Sequence, residues 1–319
     1  MNLKSIKRSE VEVHENFSLS KLTTFRLGGP SPLVFICETP HQLKRVIKSL
    51  KEAGSSFILI GGGSNLLVSD QGVACPVVCY KADTLQVKRN GYELDVAACM
   101  QLDLLAEYAA KEGLKGLNFT TGIPGTVGGA IVGNAGAFGE DISKSVISVA
   151  LIDKNGETSE VSREDIAFSY RHSPLKESGD IVVSAKFRMM EDDPKVLLEE
   201  REKILAERRS KHPDLKSIPS AGSFFKNVEP TSKAERRQAA GWFLEQAGAK
   251  TLHCGGAAVF PKHANIIIKQ DNCRSQDVYE LSCLMAKAVK EKFGLDLIRE
   301  VRLVGSFKGA APSLVNIIW

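Results

Sequence analysis

The chain has 319 residues, a formal net charge of +4, a hydrophobic content of 43% and a charged content of 25%. This length suggests about two domains, and the composition is that of an ordinary globular protein. The small charge is spread along the chain, which argues against nucleic acid as the main partner. No apolar run approaches the roughly 20 residues of a membrane span, and residues 1–17 lack the apolar core of a signal peptide. We therefore expect a cytoplasmic protein that is not bound to a membrane.

Seven cysteines are scattered along the chain without a CxxC pair, and the six histidines do not cluster. Cys75 and Cys79 are separated by three residues, but no second pair of ligands follows, so this spacing does not indicate zinc. We expect reduced thiols and no metal site.

The first predicted elements surround a run of glycines. Thr39 and Pro40 suit the N-cap and first turn of a helix that ends at Gly54. Two short apolar strands follow, Phe57 to Ile60 and Leu66 to Val68. The residues between them are Gly61, Gly62, Gly63, Ser64 and Asn65.

This run is neither a Walker A motif nor a dinucleotide-binding GxGxxG motif, because no lysine and no helix pattern follow it. Consecutive glycines expose backbone amides, and Ser64 and Asn65 add side-chain hydrogen bonds, so the run predicts an anion-binding loop. Arg26, which precedes an earlier Gly-Gly turn, suits a phosphate contact and equally a solvated position.

A second glycine-rich stretch runs from Thr121 to Gly139, after a predicted strand at 92–98 and a predicted helix at 101–112. Seven of its nineteen residues are glycine. This density argues against a helix or strand interior, because each ordered glycine costs backbone entropy. We predict loop and turn throughout. A loop of this length is typical of ligand binding, and a series of tight turns is the alternative.

A hairpin is predicted next, with strands Val146 to Ile152 and Thr158 to Val161 around an Asn155-Gly156 turn. A further strand is predicted at 181–187. The composition then changes, and Asp193 and Pro194 begin a charged helix, 195–209, that we expect to join two domains.

The C-terminal part predicts mixed helices and strands. Helices are expected at 238–246 and 275–293, the second capped by Ser275 and ended by Gly294. Strands are expected at 266–268 and 300–304.

Three side chains are candidates for chemistry. Ser223 lies between Gly222 and two phenylalanines, which suggests a hydroxyl in a partly dry site, and the absence of GxSxG disfavours a serine hydrolase. Arg171 suits a bidentate contact with a carboxylate, although arginines at hairpin ends are often structural. Glu300 begins a terminal strand, where a carboxylate is disfavoured unless it is solvated or has a functional role.

Taken in order, the motifs closely resemble those of the UDP-N-acetylenolpyruvoylglucosamine reductase family. They are TTFRLGGP, GGGSNLLV, TGIPGTVGGAIVGNAGA, SYRHS, RRSKHP, AGSFFKN, AGWFLEQAG with GGAAV, and EVRLVG, and they span about residues 20 to 305. The short spacing from Arg171 to Ser223 resembles the second subtype of the family, which lacks a loop carrying a substrate-clamping tyrosine. His263 stands where some relatives have glutamine.

The resemblance implies an α+β fold. An FAD-binding domain of the vanillyl-alcohol-oxidase type would comprise residues 1–190, with subdomains of about 1–80 and 81–190. An α+β substrate-binding domain would comprise 191–305, followed by a tail at 306–319. The implied FAD-binding residues are Arg26, Gly61, Gly62, Gly63, Ser64, Asn65, Thr121, Gly122, Gly125, Gly128 and Gly129.

The implied reaction has two halves. NADPH reduces FAD, and flavin N5 then delivers hydride to C3 of the enolpyruvyl ether, which yields UDP-N-acetylmuramate for peptidoglycan synthesis. By motif position, Ser223 matches the proton donor, and Arg171 and Glu300 match the pair that stabilises the enol intermediate.

The implied substrate-binding residues are Tyr170, Arg208, Lys211 and Asn227. The implied partners are small molecules, and we expect a monomer. Two alternatives remain open: another FAD oxidoreductase of the same fold, and a nucleotide-sugar binding protein without redox activity.

Overall fold

The computed structural model describes residues 11–153, 156–229 and 237–311. Asn155 of the predicted hairpin turn and residues 312–319 of the predicted tail lie outside the described residues.

The first part of the chain builds a four-stranded sheet. Its elements are β1 (Glu12–Ser18), β2 (Pro30–Cys37), α1 (Pro40–Glu52), β3 (Ile58–Ile60), β4 (Leu66–Val68) and β5 (Val77–Tyr80). The strand order is β1-β2-β5-β3. β2 and β3 pair in parallel with β5, and β1 pairs antiparallel with β2.

The predicted helix after Thr39 is confirmed as α1. The Thr39 hydroxyl accepts a hydrogen bond from the Gln42 amide, and the Gln42 side chain accepts one from the Thr39 amide. This capping box and Pro40 together define the first turn. The apolar face of α1 is buried through Leu43, Val46, Ile47 and Leu50.

The second part builds a five-stranded antiparallel sheet. Its elements are β6 (Val87–Asn90), β7 (Glu93–Ala97), α2 (Leu102–Lys111), β8 (Leu114–Lys115), α3 (Val127–Gly133), β9 (Gly136–Ala137), β10 (Glu140–Asp141), β11 (Val146–Ile152), β12 (Thr158–Ser162), α4 (Leu175–Ser178), β13 (Ile181–Arg188) and β14 (Met190–Glu191). The strand order is β12-β11-β13-β7-β6, and the predicted hairpin strands are confirmed as β11 and β12. The face of α1 shares one hydrophobic core with both sheets.

The prediction of loop and turn throughout the second glycine-rich stretch was wrong, because α3 lies inside it. Thr126 caps α3 by accepting a hydrogen bond from the Gly129 amide at 3.3 Å. Val127 and Ile131 are fully buried, and this burial offsets the entropic cost of the helical glycines. Gly128 lets α3 pack closely on Ala98, since a Cβ there would lie 3.1 Å from the Ala98 Cβ.

The remaining elements form the C-terminal part. They are α5 (Pro194–Lys211), β15 (Ser220–Ser223), α6 (Ala240–Gln246), β16 (His253–Cys254), β17 (Ala257–Val259), β18 (Ile266–Lys269), α7 (Ser275–Phe293) and β19 (Arg302–Val304). Four strands form a sheet in the order β15-β18-β17-β16. The last strand, β19, returns to the first part and pairs in parallel with β4. Phe25 and Leu67 of the first part therefore lie in the same hydrophobic cluster as α7.

The cap of α7 differs from the prediction. The N-cap residue is Arg274, and Ser275 is the first helical residue. The Asp70 carboxylate accepts hydrogen bonds from the amides of Ser275 at 2.8 Å and Gln276 at 3.1 Å, so a residue distant in sequence satisfies these helix-end donors. The predicted stop at Gly294 is confirmed, with φ of +70°.

All seven cysteines are unpaired. Within the described ranges, no helix combines the length and the apolarity needed to cross a bilayer.

Candidate functional site

Two glycine loops, 61–65 and 121–126, lie against each other. The Ser64 hydroxyl donates a 2.8 Å hydrogen bond to the Pro124 carbonyl. A Cβ added at Gly62 would lie 2.6 Å from the Gly125 Cα, so neither backbone leaves room for a side chain between the loops. Gly125 also has φ of +124°, a backbone conformation that residues other than glycine rarely adopt.

The first loop offers unpaired donors. The backbone amides from Gly61 to Asn65 donate to no other group in the part of the chain that the structure describes. These residues are partly or fully buried. Because a buried amide without a partner is costly, a row of such amides is typical of a site that binds an anion.

The second loop is held by an ion pair that no pattern in the sequence indicates. Asp103 of α2 accepts hydrogen bonds from the Gly122 amide at 2.7 Å and from Arg201 of α5 at 2.7 and 3.0 Å. Arg201 also lies 3.3 Å from the Thr121 hydroxyl. Burial opposes ionisation of Asp103, but Arg201 and the Gly122 amide outweigh it and lower the pKa of this carboxyl.

A second arginine of α5 lies next to the same loop. The Cδ of Arg208 lies against Gly122, and its Nε is buried without a hydrogen-bond partner among the described residues. Burial lowers the pKa of Arg208, and the like charge of Arg171 lowers it further. Two guanidinium groups that repel each other across a half-buried space favour an anionic ligand.

Arg171 and Glu300, distant in sequence, lie close together. The Arg171 Nε is 3.4 Å from Glu300 Oε1, and both side chains are largely buried. The contact is an ion pair but not a hydrogen bond, since Arg171 Nε has no hydrogen-bond partner in the described ranges. The guanidinium therefore retains donor capacity for a ligand carboxylate.

Ser223 lies at the end of β15, next in the chain to a residue that contacts Glu300. Ser220 pairs with Ile268 and Ser223 with Ile266, so β15 has one more residue than its partner and bulges at this point. A bulge of this kind redirects side chains. The next residue, Phe224, accepts a 2.8 Å hydrogen bond from the Glu300 amide. The Ser223 hydroxyl has no partner among the described residues, so its proton is available to a ligand.

Asn65 connects the first glycine loop to Glu300. Its side-chain Nδ2 donates to the Glu300 carbonyl at 3.2 Å, and its own carbonyl accepts from the Arg302 amide at 3.0 Å. The pairing of β4 with β19 therefore brings the first glycine loop next to Glu300, and Glu300 in turn contacts Arg171.

Other residues selected from the sequence have partners within the protein. Arg26 donates to the carbonyls of Leu215 at 3.0 Å and Lys216 at 2.8 Å. Lys211 forms an exposed 2.6 Å ion pair with Glu207. Both side chains are exposed, and Arg26 joins the first part of the chain to the loop after α5.

Tyr170 contacts Arg237, and Asn227 contacts the start of α6. The Arg237 guanidinium lies 4.1 Å from the centre of the Tyr170 ring, which is a cation–π contact. The Asn227 side chain accepts a 3.2 Å hydrogen bond from the Ala240 amide at the start of α6.

His263 contacts a second histidine, His212, with ring centres 5.5 Å apart. Burial and the neighbouring His263, Arg208 and Lys211 lower the pKa of His212 to about 4. Burial also lowers the pKa of His263. The described residues contain no cluster of three or more histidine, cysteine or carboxylate side chains that could hold a metal ion.

Comparison with known proteins identifies both halves of the chain. Residues 212–304 match the model of the UDP-N-acetylenolpyruvoylglucosamine reductase C-terminal domain, and residues 31–162 match that of an FAD binding domain. The UDP-N-acetylenolpyruvoylglucosamine reductase of Clostridium novyi is 34% identical over 303 residues, which cover 95% of each chain. The one of Caldicellulosiruptor bescii is 35% identical over 306 residues, covering 95% of this chain and 94% of the relative.

The crystal structure of the UDP-N-acetylenolpyruvylglucosamine reductase of Thermus caldophilus matches with a TM-score of 0.73 and 30% identity. The match covers 92% of this chain and 98% of that one. These similarities confirm the predicted α+β fold with an FAD-binding domain of the vanillyl-alcohol-oxidase type. The domain boundaries at residues 190 and 305 stay predictions.

Proposed function

Because the chain belongs to the UDP-N-acetylenolpyruvoylglucosamine reductase family and is an FAD-dependent oxidoreductase, we propose that it uses NADPH to reduce the enolpyruvyl ether of UDP-N-acetylglucosamine to UDP-N-acetylmuramate. This reaction forms a precursor of peptidoglycan. The observation that carries the proposal is the contact of Arg171 with Glu300, whose backbone contacts both Asn65 of the first glycine loop and Phe224, the residue after Ser223.

The residues of the two glycine loops fit FAD. The unpaired amides from Gly61 to Asn65 suit its diphosphate. Gly62 and Gly125 leave the loop surfaces without side chains, which allows the close approach of a flat ring system. Thr121 and Gly122, held by Asp103 and Arg201, complete the second loop. Bound there, the cofactor would supply the redox chemistry that carries hydride from NADPH to C3 of the enolpyruvyl group.

The protein's own part in the reduction is to stabilise charge and to supply a proton. Hydride addition at C3 places negative charge on C2 and on the adjacent carboxylate. The Arg171 guanidinium, whose Nε has no hydrogen-bond partner among the described residues, binds that carboxylate. Glu300 orients Arg171 through their 3.4 Å ion pair. The Ser223 hydroxyl then donates its proton to C2.

The UDP end of the substrate carries two phosphate charges. Arg208, which is half-buried and whose Nε has no hydrogen-bond partner among the described residues, binds one of the anionic groups. Lys211 lies at the end of the same helix, α5, and reaches the diphosphate by exchanging its exposed contact with Glu207. Tyr170 and Asn227 line the side of the site next to α6 and hold the uridine and sugar.

A flavin absorbance experiment tests the proposal. The purified protein should carry a flavin that NADPH bleaches without oxygen and that the enolpyruvyl ether of UDP-N-acetylglucosamine recolours. UDP-N-acetylglucosamine itself, which lacks the enolpyruvyl group, is the matched control and should leave the flavin reduced. A protein that cannot be loaded with FAD, or a reduced flavin that the enolpyruvyl ether does not reoxidise, would rule out the proposed reaction.

A further inference from the structure

Lys176 lies next to the catalytic residues proposed above, and neither the motifs nor the proposed mechanism assigns it a role. It belongs to the short helix α4, and its Nζ donates a 2.5 Å hydrogen bond to the main-chain carbonyl of Arg171. The side chain is half-buried. A lysine normally keeps its ammonium group in water, so burial of this group against a single carbonyl calls for a reason.

The carbonyl that Lys176 binds belongs to a strained residue. Arg171 has φ of +54°, in the left-handed region that residues with a Cβ rarely adopt. Such a conformation persists where surrounding contacts hold it, and it occurs most often at functional sites. The tight turn around Arg171 is closed by reciprocal hydrogen bonds between Ser169 and His172, of 3.0 and 3.1 Å.

Both ends of this turn are fastened to α3 in the glycine-rich stretch. Asn134, which ends α3, donates from its side chain to the Ser169 carbonyl at 2.9 Å. Ser173 donates from its hydroxyl to the Val132 carbonyl at 2.8 Å. The ends of the turn are therefore fixed by neutral hydrogen bonds, whereas the carbonyl of Arg171 itself is held by the charged Lys176.

The charges around Lys176 come from its own helix and from two other segments. Burial is the main cause that lowers the pKa of Lys176 to about 8, and Lys226 and Arg302 lower it as well. Glu300 and Glu177 act in the opposite direction. Lys176 thus changes charge close to physiological pH, and it does so beside Glu300, the ion-pair partner of Arg171.

We propose that Lys176 is a positioning residue, whose ammonium group holds the Arg171 main chain in the left-handed conformation that directs the guanidinium to Glu300 and to the substrate carboxylate. This inference rests on the proposed function. Loss of the ammonium group slows the transfer of hydride from reduced flavin to the enolpyruvyl substrate and leaves reduction of the flavin by NADPH unchanged.

The test compares Lys176→Met and Lys176→Arg with wild type in rapid-mixing measurements of the two half-reactions. We expect Lys176→Met to slow flavin reoxidation by the enolpyruvyl substrate by about 10- to 100-fold, the effect of a displaced positioning group. Lys176→Arg, which keeps charge and donors, should recover at least half of the wild-type rate. Lys186→Met is the matched control, because Lys186 forms an exposed 2.8 Å ion pair with Glu160 on the second sheet.

The pH profile separates positioning by charge from a purely structural role. In wild type, the rate of flavin reoxidation should fall above a pH of about 8, as Lys176 loses its proton. This decrease in rate should be absent below pH 10 in Lys176→Arg, because arginine stays charged there. If the rate in Lys176→Arg decreases over the same pH range as in wild type, the inference is overturned. This measurement tests the inference even if Lys176→Met fails to fold. Reoxidation within twofold of wild type in a folded Lys176→Met also overturns it.

Failure of the proposed function would look different. In that case wild-type protein itself would not reoxidise with the enolpyruvyl ether. Failure of the Lys176 inference alone leaves the wild-type reaction intact and the variants unimpaired.

Discussion

Asn65 and Glu300 are 235 positions apart in the chain, yet the Asn65 side chain donates a 3.2 Å hydrogen bond to the Glu300 carbonyl. Asn65 ends the loop whose amides suit the FAD diphosphate, and Glu300 contacts Arg171 at 3.4 Å. The cofactor loop and the residues proposed for proton transfer and charge stabilisation are therefore parts of one connected structure. Each can be tested separately, because the proposed reaction has two observable halves.

Ser223→Ala should separate the two half-reactions. Removal of the hydroxyl removes the proposed proton donor but leaves the backbone contact between Phe224 and Glu300 in place. We expect flavin reduction by NADPH to stay within about twofold of wild type and substrate reduction to slow by about 10²- to 10⁴-fold, as for loss of a general acid. Rapid mixing with absorbance detection measures both steps. Ser217→Ala, in the loop before β15, is the control, and near-normal turnover of Ser223→Ala would remove Ser223 from the proton-donor role.

Gly125→Val should abolish FAD binding. Valine disfavours the φ of +124° at this position, and a Cβ would lie 2.8 Å from the Ser64 hydroxyl, so the two loops would separate. The ratio of flavin to protein absorbance measures occupancy. Gly133→Ala is the matched control, because nothing lies within 4 Å of a Cβ at that end of α3. Full flavin occupancy in Gly125→Val would contradict the role of the loop.

Asp103→Asn should destabilise the protein by leaving Arg201 buried without a counter-charge. Arg201 is 9% exposed and Asp103 is 38% exposed, so we expect a loss of about 2 kcal/mol in the free energy of unfolding at pH 7, less than for a fully buried pair. The control is Glu140→Gln, which removes an exposed pair with Lys144 and should cost about 0.5 kcal/mol or less.

The same carboxyl predicts a pH dependence. The pKa of Asp103 is lower in the folded protein than its ordinary value, so its stabilisation is present above a pH of about 4. It is lost as the pH falls through the lowered value. Urea denaturation should therefore show the difference between wild type and Asp103→Asn shrinking below pH 4. A difference that does not change with pH would count against the ion pair as its cause.

His212 should make the protein sensitive to mild acid. Its pKa is lowered to about 4 by burial and by neighbouring cations, whereas an unfolded histidine titrates near 6.5. The unfolded state therefore binds more protons between these values, and stability should decrease as the pH falls from about 6.5 to about 4. In His212→Gln, thermal stability should depend less on pH over this range. His41→Gln, on the exposed start of α1, is the control, and equal acid sensitivity in wild type and His212→Gln would exclude His212 as the source.

Part of the fold follows from short-range patterns. The Thr39 capping box, the Pro194 start of α5, the hairpin strands β11 and β12 and the Gly294 stop are decided by residues within a few positions of one another. Helix α3 does not follow from such a pattern. Its glycines predict a loop, and burial of Val127 and Ile131 together with close packing on Ala98 overrides that preference.

The candidate site, too, follows partly from sequence patterns and partly from the tertiary structure. Glycine density, the serine beside two phenylalanines, and the motif order identify the two loops together with Ser223, Arg171 and Glu300 as candidates, and their roles stay predictions. Only the tertiary structure decides that Asp103 and Arg201 hold the second loop and that Lys176 reaches the Arg171 carbonyl. Asp70 likewise caps α7, and β19 pairs with β4, across most of the chain. The sequence determines local conformation through interactions between neighbouring residues. Ion pairs and strand pairs between distant segments form only when packing of the cores brings those segments together.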